Sequence, residues 1–499
     1  MTARPDHVAP APSAGDGHLK PGVLGTGSIV FMVVAAAAPL TILAGIAPLA
    51  ILIGGIGAPV AYLFGGLTLA VFAVAFTRMT AHVGSAGAFY AYIAKGLGRA
   101  WGLAAAILAL MSYNAIQIGV YGLLAVQTQA TLSDLFGVTV PWPVIALVAI
   151  ALVFLVGWAG IDVGAKVLGV LLVLETGILL LLAFAVVFQG GASGLDGASF
   201  TPDAVFSSGM GAALGFAFAA FIGFESTAIY RREARDPART IPRATYIAIV
   251  GMAVTYCFIV WAVVQAFGSD RAQAAAGEDP VGMFFTAIAT YVGPWAATLM
   301  SVLIVTSVYA AQLAFHNAIN RYAFALAQDG VLPARLTATH RRFRSPYVAG
   351  IVQTILAAVV VLAFAVAGAD PYARLLLWVN APGAIGIFLL MFLTAVATVV
   401  YFARRNPAAS RPSTIAAGIG SSVLLGVALY VAVDNIELNT AASTGVNAVL
   451  IGIVPLTLLI GLGLAVWLRR SRPATYARIG EGEDTDEQAA ADATPAAAR

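Results

Sequence analysis

The sequence predicts an all-α membrane protein with about twelve transmembrane helices, and three observations predict it. Hydrophobic residues make up 61% of the 499-residue chain and charged residues only 10%, where a soluble chain of this size carries about a quarter charged. Apolar runs long enough to cross hydrocarbon, about 17–25 residues each, recur along nearly the whole length. The basic residues gather in alternate loops, as the positive-inside rule requires of a polytopic chain.

The runs lie at 23–53, 58–81, 101–128, 141–160, 164–188, 207–230, 244–267, 292–326, 348–368, 371–403, 413–433 and 446–468. The first contains Pro39 deep in its apolar sequence. The third carries Tyr113, Asn114, Gln117 and Tyr121 at three- and four-residue spacing, hence on one helical stripe. The fifth holds Glu175, and the sixth ends in Phe-Ile-Gly-Phe-Glu at Glu225. The eighth repeats the stripe pattern with Tyr309, Gln312, His316 and Asn320; the tenth contains Asn380-Ala381-Pro382-Gly383, either a gate hinge or a kink. Such stripes face the bundle interior, where they either join helices or meet a solute. With the N-terminus inside, 24 of the 26 Lys and Arg residues fall on the cytoplasmic side or at its edge, Arg271 and Arg374 being the exceptions. The expectation is therefore a multi-pass protein of the cytoplasmic membrane with both termini cytoplasmic. Residues 1–22 read as a disordered N-terminus, 23–403 as the core, 413–468 as two further helices and 470–499 as a cytoplasmic acidic tail.

Several function classes are excluded at this level. The net charge of +3 is the positive-inside bias and no nucleic-acid footprint. Cys257 is the single cysteine, so no internal disulfide forms, and the five histidines show no paired metal-binding spacing. No phosphate-binding loop suggests a nucleotide-driven pump, no nucleophile or metal constellation suggests an enzyme, and no cofactor is expected. Transport driven by ion or substrate gradients remains.

Two interruptions sharpen that expectation. Pro39 removes one backbone hydrogen bond from the first span and clashes with the preceding turn. Either this is a simple kink, or a second half-helix begins near Leu40 and Thr41 with its amides and positive dipole end facing an anionic group. Gly223 loosens the sixth span, five spans later. Paired interruptions in two halves of a chain mark the midplane site of secondary transporters.

The residues FIGFE at 221–225, followed by EARDPARTIPRA, resemble the sixth-helix signature of the amino acid–polyamine–organocation superfamily. GSAGAFYAYIAKGLG at 84–98 and RYAFALAQDGVLP at 321–333 resemble two more motifs of that family, and the three in order span most of residues 20 to 403. The resemblance implies a leucine-transporter-like five-plus-five inverted repeat, about 23–188 and 207–403, with helices 1 and 6 broken and alternating access to a central site. One departure is the family's Gly-x-Gly at the first break, replaced here by Pro39-Leu40-Thr41. Another is Glu175, which aligns with a lysine of the fifth helix that cycles a proton where relatives bind sodium.

A carboxylate inside a hydrophobic span is by default a functional-site hypothesis. Glu175 couples a proton, sits protonated and hydrogen-bonded to a neighbouring helix, or ligates sodium or a substrate amine. Glu225 accepts a proton, pairs with a substrate ammonium, or braces the sixth-span break. Ala38, Pro39, Leu40 and Thr41 are the expected holders of a substrate carboxylate, and Phe221, Ile222, Gly223 and Phe224 flank the amino group. Tyr113 is a further candidate contact, and Phe221, Phe224 and Trp378 are candidate walls or gates. The loop Arg231 to Asp236 is expected to tie helix ends by ion pairs. The overall expectation is a proton-coupled amino acid or amine permease acting on a small-molecule substrate within a lipid bilayer. An amino acid/polyamine exchanger and a transport-defunct nutrient sensor of the same fold are the alternatives.

Overall fold

Helices that satisfy their own backbone groups account for nearly all of the computed structural model, which describes residues 24–80, 82–83, 88–159, 165–225, 227, 234–340, 343 and 345–480. The first half contains α1 (Thr26–Ala37), α2 (Pro39–Gly45), α3 (Ala47–Gly54), α4 (Ala58–Thr80), α5 (Ala88–Leu97), α6 (Arg99–Phe136), α7 (Trp142–Ala159) and α8 (Ala165–Gln189). After α9 (Pro202–Val205) come α10 (Met210–Ala219), α11 (Pro237–Phe267), α12 (Ala272–Glu278), α13 (Met283–Tyr291), α14 (Pro294–Gln328), α15 (Tyr347–Val366) and α16 (Leu377–Val400). The chain closes with α17 (Pro412–Asp434), α18 (Ile436–Thr440), α19 (Thr444–Ser471) and α20 (Pro473–Arg478). Among the described residues there is no strand, only a parallel bridge between Leu24 and Ala234.

Eleven helical stretches among the described residues are long and apolar enough to cross a membrane, against about twelve expected. The predicted segment 207–230 is represented by the shorter apolar helix α10, and residues 228–233, with the basic pair Arg231-Arg232, lie outside the described residues. The expected ion pairs of that loop are described only at its end, where Asp236 and Arg239 approach to 3.8 Å in an exposed position. Its tie to the first span is instead backbone, the Arg235 N–H donating to Leu24 O at 3.0 Å. Large side chains such as Leu67, Val170, Phe188 and Leu459 lie on outward faces, as expected of a bundle solvated by lipid.

Inside, small residues set the helix separations. α4 runs along α11, and α6 is the hub against which α14, α16 and α19 pack. A side chain at Gly122 on α6 would collide with the carbonyl oxygen of Pro371, so only glycine permits that approach. Polar residues then lock α6 to α14: Gln117 Nε2 donates to Gln312 O at 3.1 Å and Gln312 Nε2 returns a bond to Gln117 O at 3.0 Å. The Gln353 amide on α15 donates to Gln117 Oε1. His316 is buried against Phe154 and Gly157 of α7 and Gly350 of α15. Gln117, Gln312 and His316 thus join helices, as polar groups in hydrocarbon are compelled to do.

The start of the segment 470–499 folds back as a strap. After α19, α20 carries Ile479, only 3% exposed, into a small apolar cluster with Leu103, Ala465 and Leu468. Thr475 packs on Gly330, and Gly480 approaches Ala94 of α5. Asp329, one residue beyond α14, is half-buried there, and the loss of hydration pushes its carboxyl up from 3.8 to about 6 although Arg478 opposes the shift. A proton held more tightly in the folded state stabilises it fully below pH 3.8 and loses that contribution as pH rises through about 6. We expect the thermal midpoint in detergent to fall between pH 4 and 7, and Asp329→Asn to flatten that part of the profile. Ile479→Asp, which buries an unpaired charge, should lower stability by a few kcal/mol, of order 2–3, read by the same melting curves.

Candidate functional site

The first interruption follows from Pro39. A residue before proline is pushed out of the right-handed helical region, and Ala38 adopts φ 46° and ψ 73°, the left-handed region. That conformation costs about 1–2 kcal/mol for a residue with a side chain, so the surroundings must hold it. They do so through hydrogen bonds. Ala38 N–H closes α1 on Ala35 O at 3.2 Å, and Ile42 N–H opens α2 on Ala38 O at 3.2 Å. A second break at Ile46 separates α2 from α3. The exposed carbonyl ends are taken by distant side chains: Tyr372 Oη donates to Gly45 O at 2.9 Å and Gln273 Nε2 to Leu52 O at 2.8 Å. Every freed group with a partner keeps the break affordable inside hydrocarbon.

The second interruption begins where α10 ends. Ala220, Phe221, Ile222 and Phe224 each donate to the residue three before, so the helix tightens and stops. Gly223 takes φ 113°, which side-chain-bearing residues rarely adopt. Its N–H donates to Glu225 Oε2 at 2.9 Å, and Tyr113 Oη on α6 donates to Glu225 Oε1 at 2.7 Å. Both oxygens of this buried carboxylate are therefore engaged.

Between the two interruptions lies a cavity of about 40 Å³, lined by Ala37, Ala38, Thr41, Ile42 and Ile46 of the first span and by Ala219, the last residue of α10, and Ile222, just before Gly223. Ile116 and Val120 of α6, Ala311 and Phe315 of α14, and Asn380 of α16 complete it. Such a volume holds only a few waters, at about 10–15 Å³ each. Thr41 links the cavity to a buried polar group behind α2: its Oγ1 lies 2.9 Å from Ser307 Oγ on α14, and Ser307 lies beside the Glu175 carboxylate. Glu175 Oε2 and the hydroxyls of Tyr62 and Tyr256, whose rings meet edge to face at 6.0 Å, have no hydrogen-bond partner.

Ala38, Thr41 and Ile222 thus line the cavity, with Pro39 and Leu40 buried in α2 beside them. Phe221 and Phe224 turn away, Phe221 onto Tyr256 at 6.1 Å and Phe224 onto Phe72 and Phe76 at 6.1 and 6.0 Å. Tyr113 serves Glu225. Trp378 is held elsewhere, its Nε1 donating to Thr440 O at 3.0 Å under the Arg374 guanidinium. The tenth-span motif runs through unbroken helix, with Pro382 inside α16, and it presents Asn380 to the cavity. Sequence reasoning missed Ser307, Ala311 and Phe315. Their four-residue spacing was the available signal, masked because two of the three are apolar.

Tyr113→Phe leaves a buried carboxylate oxygen without its donor and should cost about 1–3 kcal/mol. Gly223→Ala forces a strained backbone and should cost at least ~1 kcal/mol. Melting temperatures of the purified variants check both, and the outward-facing control Leu67→Ala should move the midpoint least.

Comparison with known proteins carries the remaining weight. A family profile described as amino acid permease matches residues 24–471. An uncharacterized transporter of Mycobacterium tuberculosis is 32% identical over 144 residues, 29% of this chain and 32% of the relative. A serine/threonine exchanger of Bacillus subtilis is 25% identical over 312 residues, 60% of this chain and 67% of the relative. A branched-chain amino acid permease of the same organism is 26% identical over 144 residues, 28% and 29% of the two chains. The chain spans about a third of the length of the first of these relatives. The profile match covers most of the chain and agrees with the all-helical bundle and its eleven candidate spans, so this multi-pass membrane protein belongs to the amino acid permease family.

Proposed function

We propose that the protein is a secondary active transporter that moves amino acids or related amines across the cytoplasmic membrane by alternating access, coupled to protons. The observation that carries this reading is the apposition of two interrupted helical segments, Ala38–Thr41 and Ala219–Gly223, on one cavity inside the bundle. Pro39 has no N–H, so the first free amides of α2 are those of Leu40 and Thr41, suited to a substrate carboxylate. Carbonyls released at the second break suit an ammonium. Lys and Arg clustering supports a cytoplasmic location for both termini.

Glu175 is the coupling group in this reading. An ionised carboxylate in hydrocarbon is unfavourable unless paired, and one oxygen of Glu175 lacks a partner. Through Ser307 and Thr41 its protonation state acts on α2, the half-helix that borders the cavity. Glu225, with both oxygens engaged, holds the second break in register. Exchange of one amino acid for another is the second reading, favoured by the likeness to a serine/threonine exchanger.

The test is uptake of a radiolabelled amino acid mixture into proteoliposomes under an inward proton gradient. The native chain should accumulate substrate, while Glu175→Gln should lose accumulation and keep exchange at equal pH. Equal accumulation by both would remove Glu175 from coupling. Exchange without accumulation by the native chain would establish the second reading.

A further inference from the structure

The walls of the cavity carry a selectivity of their own. Ten of its twelve lining residues are apolar and none is titratable; Thr41 and Asn380 supply the polar side chains. The nearby carboxylates do not alter this. Glu225 accepts from Tyr113 and Gly223 with its two oxygens, and Glu175 lies behind α2 beside Ser307. Thr41 is already bonded to Ser307. Ile116, opposite the first break, is fixed in place: a side chain on Gly383 of α16 would meet Ile116 Cγ1 at 2.8 Å, so the two helices grip it closely. The wall built by Ile42, Ile46, Ile116 and Val120 is therefore branched, stiff and free of charge.

Resting on the reading of this cavity as the amino acid site, we infer that the protein carries neutral amino acids with aliphatic side chains and rejects cationic and acidic ones. The cavity in this structure admits only a few waters, so the substrate enters when the two interrupted segments part; its α-ammonium and α-carboxylate then meet the backbone ends of the two breaks, and its side chain is left to the apolar wall. A lysine ammonium or a glutamate carboxylate placed there would lose its hydration with no opposite charge in return. The expected discrimination is roughly 100-fold or more. A hydroxyl is rejected less severely, because an apolar pocket separates valine from threonine by a factor of about 100 at best.

Reconstituted full-length protein loaded with unlabelled valine should take up labelled valine by counterflow, and each of the twenty amino acids is then offered as competitor and as labelled substrate. Valine, leucine and isoleucine should compete at the lowest concentrations, serine and threonine at about 10–100-fold higher ones, and lysine, arginine, aspartate and glutamate not at all. Transport of lysine, glutamate or serine as efficient as that of valine would overturn the inference and leave amino acid transport standing. Entry of none of the twenty would overturn both. Asn380→Asp, nearly isosteric, adds a carboxylate to the wall and should improve competition by lysine at least ~10-fold. A variant that still carries valine without that gain would overturn the assignment of the substrate side chain to this cavity. The native panel decides the inference even where the variant fails to fold.

Discussion

Hydrocarbon offers no hydrogen bond, so every backbone donor and acceptor in this bundle must find its partner within the protein. Long uninterrupted helices meet that requirement by themselves, which is why most of the described residues are helical. The interruptions that border the cavity, at Ala38 and Ile46 of the first span and at Gly223, are consequently places where distant side chains are engaged. Tyr372 and Gln273 cap the carbonyls of the divided first span, while Glu225 and Tyr113 hold the second break. None of these groups lines the cavity. They determine its shape from behind.

The division of labour between the two buried carboxylates follows from the same accounting. Glu225 is hydrogen-bonded through both oxygens, to Tyr113 Oη and the Gly223 N–H. Glu175 keeps an unpartnered oxygen near two unpartnered tyrosine hydroxyls, with Ser307 and Thr41 between it and the cavity. A buried group left unsatisfied calls for an explanation, and a change of partner in the transport cycle we propose would supply one. The helices that carry this polar path are held together by amide pairs such as Gln117 and Gln312. The amide pairs that join the helices and the polar groups beside the cavity are therefore different residues.

The two ends of the chain's charge distribution also have distinct structural roles. Described basic loop residues such as Arg235, Arg335 and Arg411 are exposed, and the described ion pair Asp236–Arg239 is a weak surface pair. The strap at Pro473–Gly480 instead contributes through burial, with Ile479 in an apolar cluster and Asp329 desolvated beneath it. Packing, with Arg478 acting on the Asp329 carboxyl, ties the last helix to the end of α14.

Hydropathy by itself determined the all-helical membrane class, because only runs of apolar residues can lie in lipid and those runs are read directly from composition. Pro39 and Gly223 also announced their interruptions, since proline and glycine act through local backbone geometry. Three of the expected site residues, Ala38, Thr41 and Ile222, border the cavity for that reason. Side-chain direction is set by contacts between distant segments, and there the tertiary structure alone decided. Phe221 and Phe224 follow the same motif as Ile222 yet turn into an aromatic cluster with α4 and α11. Trp378 is drawn away by Thr440, 62 residues further on. Ser307, Phe315 and Asn380 reach the site from other helices, where spacing marks a shared helical face but does not tell a face that borders a cavity from one that packs on its neighbour.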